Sequence, residues 1–537
     1  MRTDVPVLIV GGGPVGLSAA LFLARQGVRS LLVERRGTTS PMPRATHVTR
    51  RSMELFREAG LEPEIAAAGY AVVPAQDPRA VSDPERTLPR VVFGVESIAD
   101  LHRRAEILET GVEELAVPGP SPPYWCGQDR LEPILRRAAV RAGADVRFEH
   151  ELVDLDIRDA EVTARIHGRK TGRTQTCHPR YVIAADGASG RTAEAAEIPF
   201  GGLGTIASRV SILFRADLTG LIGARRFFMA MIENEKFSGA VMSLNEKHRW
   251  AAAVDQSLAG DTSPDRCVAL VRSAIGDPAV DVTMDGVFRW EARHRMAMAY
   301  RAGPLFVMGD AAHVHPPSGG FGSNVGFQDA HNLAWKMAAV VKGWAGQSLL
   351  DTYDTERRPV ATATAEQTLL LDGVPSERLG GATSRDQRIV IMGYRYASQA
   401  VLGAVPDVPF PETFGLHGVP GTRVPHVHIG GSSTMDALGA GFVLFSPDPR
   451  WLETAAKVEL ELAVPVEARH VAPTAATAFA EACGTGSHGA ILVRPDGFVA
   501  WRRVARKSQT ERDRYLCLTA VLKRFAAINE RDSAPTQ

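Results

Sequence analysis

The chain has no surplus charge of either sign. Among 537 residues, 61 lysines and arginines balance 61 aspartates and glutamates. A nucleic-acid binder would usually show a basic excess, so no nucleic-acid partner is expected. Cysteine is scarce and scattered: Cys126, Cys177, Cys267, Cys483 and Cys517 form no CxxC pair. That argues against a disulfide framework or a zinc cluster and fits a reducing, cytoplasmic interior. No stretch offers about twenty uninterrupted apolar residues. Val5 to Ala24 comes nearest, but Gly11-Gly12-Gly13-Pro14 stands in its middle, where a spanning helix would break. No membrane partner is expected. Internal repeats and low-complexity tracts are also missing.

What is present reads as an ordinary globular mixture, 45% hydrophobic and 23% charged. At about 150 residues per domain, the length predicts three or four domains or subdomains. Val5 to Val10 is a short apolar run without polar alternation, as in a strand buried on both faces. Leu17 to Gln26 reads as a helix ending near Gly27, and Ser30 to Val33 as the next strand, a right-handed parallel unit. Residues 71–123 are irregular, and Leu131 to Ala142 is helical in pattern. Between 195 and 300 the period changes. Ser208–Phe214, Phe227–Ile232, Ala240–Leu244 and Trp250–Val254 predict strands of a separate sheet. Leu305 to Met308 is another buried strand, running through a glycine-rich loop into a long helix with Ala330, Leu333, Ala334, Met337 and Val341 on its apolar positions. Segment 402–425, with Pro406, Pro409, Pro411 and Pro420, reads as a linker to a small α/β domain.

Four motifs carry chemistry. Gly11-x-Gly13-x-x-Gly16 alone is only a glycine turn. Here it follows a strand, opens a helix, and is followed eighteen residues later by Glu34 at the end of the second strand. In that setting the glycines let backbone approach a pyrophosphate, the helix start supplies amide donors, and Glu34 accepts ribose hydroxyls. An acidic residue there disfavours a 2′-phosphate, pointing to FAD or NAD in the resident site, although Arg35 and Arg36 blur that inference. Asp186-Gly187 and Gly309-Asp310-Ala311-Ala312-His313 each end an apolar strand; alone, each is a strand-end turn, and Asp310 can accept a ribityl hydroxyl. His313 and His315 have no third ligand at suitable spacing, so no metal is assigned. Pro316-Pro317-Ser318-Gly319-Gly320-Phe321-Gly322-Ser323-Asn324 precedes the long helix, whose start favours a negative group such as the N1–C2=O edge of a reduced flavin; a flexible glycine loop capped by Ser323 accounts for the same letters.

Together these residues resemble the class A flavoprotein aromatic hydroxylases of the para-hydroxybenzoate hydroxylase fold. The resemblance is strongest to the subgroup that tailors aromatic polyketides, typified by aklavinone 11-hydroxylase. It also rests on Pro43-Arg44-Ala45, Arg51-Ser52-Met53-Glu54-Leu55, Gln128 with Leu131-Glu132, Gln328-Asp329-Ala330, Tyr353-Asp354-x-Glu356-Arg357-x-Pro359, and Leu492 to Gly497 with Ala500-Trp501-Arg502. It implies an α/β fold: a Rossmann-like FAD-binding domain with a β-sheet substrate domain and a C-terminal thioredoxin-like domain. The implied boundaries are 1–70, 124–195 and 300–400 for FAD, 71–123 and 196–299 for substrate, and 401–537 for the thioredoxin-like part. The tail lacks a CxxC, so that shape implies no disulfide chemistry.

Carried over residue by residue, the resemblance implies that Gly11, Gly13, Pro14, Val15 and Gly16 hold the FAD pyrophosphate and Glu34, beside Arg35, the adenosine ribose. Arg44 and Gln128 would lie against the pyrophosphate and ribityl side, and backbone near Leu152 against adenine. Asp310 would bind ribityl, and Gly322, Ser323 and Asn324 the isoalloxazine pyrimidine edge. Pro316 and Pro317 would line the space between flavin and substrate, and Phe321 departs from the polar residue many relatives carry. Phe227, Met229 and Met242 are candidates for an apolar substrate wall, although sheet core is their commoner role. Arg395, His294 and His313 are candidates for assisting phenolate formation; structural hydrogen bonding is the commoner role for each, so no catalytic base is assigned.

The implied reaction is hydroxylation of a polycyclic aromatic polyketide through a C4a-hydroperoxyflavin, in antibiotic or pigment biosynthesis. FAD would be non-covalent and O2 a co-substrate. NADPH or NADH would visit transiently, since the chain carries no second dinucleotide fingerprint. Baeyer–Villiger or rearrangement chemistry on the same scaffold, and a non-catalytic flavin-binding redox sensor, are the rival readings. Monomer and homodimer are both open.

Overall fold

The run Val7–Val10 has no polar side chain to offer water, and it becomes an inner strand of a six-stranded sheet, all four residues buried. The computed structural model describes residues 2–3, 5–74, 83, 86–110, 112–158, 161–246, 248–404, 409–505 and 507–527; Pro406 lies outside them. The sheet order is Asp145–Phe148, Ser30–Glu34, Val7–Val10, Tyr181–Ala184, Leu305–Val307, Arg301–Ala302, parallel except for the last pair. Helix α1 (Pro14–Arg25) makes the crossover from Val10 to Ser30, with Pro14 in its first turn, where a missing N–H costs nothing. Helices α2 (Arg50–Glu58), α3 (Gln128–Arg141), α4 (Gly322–Val341) and α5 (Asp351–Leu371) belong to the same unit. Helix α4 begins eight residues before the apolar positions that signal it in the sequence, and nearly all of it is buried.

The second large sheet has eight strands, in the order His313–Val314, Thr283–Ala297, Phe200–Arg215, Arg249–Asp255, Phe237–Glu246, Met229–Asn234, Val92–Val95, Glu106–Glu109. Its strands alternate: Val210, Ile212 and Phe214 enter a core with Leu270, Val271 and Ala274 of the helix Pro264–Ile275. Two of its strands come from the irregular stretch 71–123, and a third, His313–Val314, comes from the glycine-rich loop of the first unit.

The C-terminal part runs β-α-β-α-β-β-α, from Phe442–Ser446 to the helix Glu511–Ala527. Its sheet order is Val466–His470, Phe442–Ser446, Ala490–Val493, Val499–Arg503, parallel in the first pair and antiparallel in the others, a thioredoxin-like arrangement. Among the described residues no disulfide joins the cysteines. The segment read as a linker has little regular structure but is not loose: Leu402 N–H donates to Ala500 O (2.8 Å), and Arg423 bridges Phe498.

Candidate functional site

The strand ends of the six-stranded sheet build a cradle from backbone. Gly11 has φ +109, and a Cβ there would collide with the Ala185 carbonyl. A Cβ on Gly16 would collide with Gly11 O, so the fold itself requires both glycines. Gly13 is different: a Cβ there would meet no protein atom within 4 Å, and its backbone is extended. Only something docked at the start of α1 needs that position bare. Pro14 has no N–H to offer, which leaves the amides of Val15 and Gly16 as the helix-start donors. The Val15 side chain fills the space that Gly309 and Gly326 leave, locking α1 against the third motif and α4.

Glu34 stands at the strand end with Oε2 accepting Gly12 N–H (2.7 Å) and Oε1 accepting Arg36 N–H (2.8 Å), so both oxygens keep a lone pair for a ligand. Arg35 beside it is exposed. Leu152 lies at a β-bulge, where the strand His150–Arg158 slips register between Leu152 and Asp154. Arg44 is exposed in a loop whose next residue, Ala45, is held at φ +48. Gln128 N–H donates to Arg44 O (2.9 Å), and its side chain donates to Glu132 (2.5 Å), which also takes Ser40 N–H (2.6 Å). The Gln128 amide thus braces the loop carrying Arg44.

Asp310 is open to solvent, yet enough protein surrounds its carboxyl for desolvation to push it above the ordinary carboxylate range, against the pull of His313 and Arg44. At the facing helix start, Gly322, Ser323 and Asn324 are the first residues of α4, whose amides have no intrahelical acceptor. The Asn324 side chain is fully engaged: Oδ1 accepts Thr49 N–H (3.0 Å), and Nδ2 donates to His47 O and Gly320 O (both 2.8 Å). Any ligand bond from Asn324 therefore comes from its backbone. Phe321 is buried with its ring over Gly319. Pro316 is buried and Pro317 exposed.

His315 carries a signal absent from the sequence. Its Nδ1–H donates to Pro316 O (3.2 Å), and its ring lies against Gly322. Burial, with His313 next, holds the imidazole neutral, its pKa pushed down to about 3. His313 is spent on Asp329 (2.7 Å), and His294 accepts Leu203 N–H (3.1 Å).

Across the cleft, Met229 and Met242 are cross-strand partners on the face of the eight-stranded sheet turned away from the helix Pro264–Ile275. Leu213, Leu244 and Ala251 share that face and pack with Met42, two residues before Arg44. Phe227 is a correction. It is 2% exposed between Phe93 and Trp250 on the opposite face, because it precedes the strand Met229–Asn234 and the alternation breaks there: Phe228 N–H and Met229 N–H both donate to Val91 O (3.1 and 3.2 Å). Its neighbour Phe228 instead stacks on Trp125 (3.9 Å, 12°), joining the sheet to the first unit. Arg395 lies between Tyr394 and Tyr396, which pack on Phe498, so it sits at the seam with the C-terminal part. Among the described residues no group of three His, Cys, Asp or Glu side chains could hold a metal ion, and no helix is long and apolar enough to cross a membrane.

Comparison with known proteins decides what this cradle belongs to. Residues 4–368 match the FAD binding domain family, and residues 417–524 match the family described as aromatic-ring hydroxylase, C-terminal. The chain is 42% identical to tetracenomycin A2 monooxygenase-dioxygenase of Streptomyces glaucescens over 526 residues, covering 93% of each chain. It belongs to the FAD-dependent aromatic-ring hydroxylases. This hydroxylase is also 38% identical to 4-methyl-5-nitrocatechol 5-monooxygenase of a Burkholderia species, over 93% of this chain and 94% of that one. Its structure matches that of aklavinone-11 hydroxylase, solved with FAD and aklavinone, with a TM-score of 0.86 and 33% identity over 98% and 99% of the two chains.

The hydroxylase is a flavin-dependent monooxygenase with FAD as cofactor, and the residues present fit that group. The bare Gly13, the Glu34 carboxylate with lone pairs to spare, the exposed Asp310 and the uncapped start of α4 each offer donors or acceptors suited to a dinucleotide. Sequence reasoning missed Met42, Leu213 and the Trp125–Phe228 stack, which come from distant segments. It quoted Asp329 without giving it a role.

Proposed function

We propose that this monooxygenase hydroxylates a polycyclic aromatic polyketide, consuming NADPH or NADH and O2, in the biosynthesis of an antibiotic or pigment. The observation that carries the reading is the broad apolar face of Met229, Met242, Leu213 and Ala251, set opposite the loop of Met42 and Arg44. Residues 1–70, 124–195 and 300–400 would serve FAD, 71–123 and 196–299 the substrate, and 401–537 the thioredoxin-like unit. FAD, when bound and reduced, would supply the electrons that activate O2 as an electrophilic oxygen for an electron-rich ring. The chain's part is to bind and exclude. Gly13 lets the phosphates reach the α1 amides, which the close approach at Gly11 and Gly16 holds in place, Glu34 takes the ribose and Asp310 the ribityl chain. Gly322, Ser323 and Asn324 offer N–H groups where negative charge develops on the flavin. Met229 and Met242 keep water from the reacting ring.

The test is product analysis under 18O2 with a tri- or tetracyclic phenol, para-hydroxybenzoate and 4-methyl-5-nitrocatechol, at matched concentrations. Turnover of the fused-ring phenol, with label on a ring carbon, supports the proposal. Label inserted beside a ketone supports the Baeyer–Villiger reading. Clear preference for a single ring, which the Burkholderia relative's name favours, overturns the polyketide reading and leaves the flavin chemistry standing. Binding of FAD without substrate-stimulated NAD(P)H oxidation by any of the three would favour the redox-sensor reading.

A further inference from the structure

Behind the flavin cradle lies a second polar cluster, closed to solvent. The turn between the strands Ala490–Val493 and Val499–Arg503 carries Arg494 and Asp496, both buried. Arg494 donates to both oxygens of Glu356 on α5 (2.6 and 2.8 Å) and to Asp496 (3.0 Å). The next residue on α5, Arg357, reaches the other way, donating to Asp329 Oδ1 (2.8 Å) and to the Tyr396 hydroxyl (3.0 Å). Asp329 in turn accepts the backbone N–H of Gly309 (3.1 Å), the residue before Asp310. Tyr396 closes the loop by stacking on Phe498 of the same turn (4.1 Å).

A separate path leaves the same turn through backbone. Asp496 O accepts Arg51 Nη2–H (2.6 Å), and Arg51 pairs with Glu54 one turn along α2 (3.0 Å). Glu54 is also paired with Arg423, from the segment that leads into the C-terminal unit. Thr49, the N-cap of α2, donates to Asn324, whose side chain holds Gly320 O at the start of α4. The two paths therefore end on the two flavin loops, Gly309–Asp310 and Gly320–Asn324.

We propose that the Arg494–Phe498 turn of the C-terminal unit is a positioning element of the FAD site, holding those two loops in register from behind through Glu356–Arg357–Asp329 and through Arg51–α2–Asn324. The proposal rests on the assignment of the two loops to FAD. Helices α2 and α5 each connect the turn to one loop over a few side chains, and every charged group along both paths is buried, so a shift at the turn has no solvent to absorb it. Arg494, Asp496 and Arg51 are positioning residues, since none of them is placed to touch the flavin.

The test compares Arg494→Lys, which keeps the charge but not the two-pronged grip, with Phe479→Leu. Phe479 lies in the C-terminal core against Phe445 and belongs to neither path. FAD affinity is read by titrating the apoprotein, and the visible spectrum of bound flavin is recorded, at a temperature where circular dichroism shows both variants folded. Arg494→Lys should weaken FAD by about tenfold and alter the spectrum, while Phe479→Leu, at similar loss of thermal stability, leaves both unchanged. Tyr396→Phe, which removes only the hydroxyl receiving Arg357, serves if Arg494→Lys does not fold and should shift affinity in the same direction by about threefold. Equal affinity and spectrum in the two path variants and in Phe479→Leu would reduce the turn to packing and overturn the proposal. A wild-type chain that binds no FAD would instead overturn the loop assignment.

Discussion

The front and the back of the FAD unit treat polar groups in opposite ways. At the front, Gly13 and the first residues of α4 leave backbone donors uncovered, and Asp310 stands open at the cleft. At the back, Glu356, Lys336, Arg494 and Asp496 satisfy one another without solvent. Burial alone would raise the Glu356 carboxyl; Arg494 and Lys336 hold it well below the usual range instead. Lys336 pays for the same burial, its pKa pushed down to about 8 despite Glu356. Open donors mark a place for a ligand, and closed charge clusters mark a place where two parts of the chain are joined.

The largest effect should come from breaking the back. Glu356→Ala leaves Arg494 and Lys336 buried with their main partner gone, a loss on the order of 3–5 kcal/mol in the thermal unfolding of the apoprotein. A loss under about 1 kcal/mol would mean the cluster is not closed. At the front, Gly13→Val should leave apoprotein stability nearly unchanged while abolishing retention of FAD, because the new methyls meet ligand and not protein. A matched pair of unfolding curve and flavin absorbance checks this. Gly16→Ala, by contrast, should damage the fold itself, since its Cβ collides with Gly11 O.

Asp310→Ala removes one charge-assisted bond and should weaken FAD by about ten- to a hundredfold, or roughly 1.5–3 kcal/mol, in the same titration. The smallest effect is in acid. The back carboxylates Glu356, Asp329 and Glu54 all have folded values below the ordinary range, so their stabilisation is present above the unfolded value of about 4 and is lost as pH falls through the folded values. Asp310 is shifted the other way and takes up its proton earlier. Lowering pH should therefore loosen FAD before the apoprotein unfolds. Coincident midpoints for flavin release and apoprotein unfolding would erase the contrast between the two faces.

The front was largely legible in the sequence because it is built from local motifs. Gly11-x-Gly13-x-x-Gly16, Glu34 and Gly309-Asp310 each announce a strand end within a few residues. The substrate face was legible only in part. Met229 and Met242 share it, but Phe227, two positions before Met229, faces the opposite core, because the chain enters the strand through an irregularity at Val91, set by backbone pairing and not by residue type. The 71–123 stretch gave no pattern of its own, and its strands form against partners from elsewhere: Val92–Val95 and Glu106–Glu109 extend one end of the eight-stranded sheet, and Tyr70–Val73 and Thr87–Pro89 join a small sheet with Tyr124–Trp125.

Sequence alone determined the buried parallel strands and the phosphate loop, which follow from hydrophobic period and from glycines whose Cβ would collide with backbone, while the combination of motifs along the chain carried the resemblance to its family. Tertiary structure decided which methionines face the cleft, that His315 is neutral beside α4, and that Arg494 reaches Glu356 across 138 residues of chain. A buried charge is tolerable only with its partner in place, and that partner is chosen by how the domains dock, which no local pattern in the sequence records.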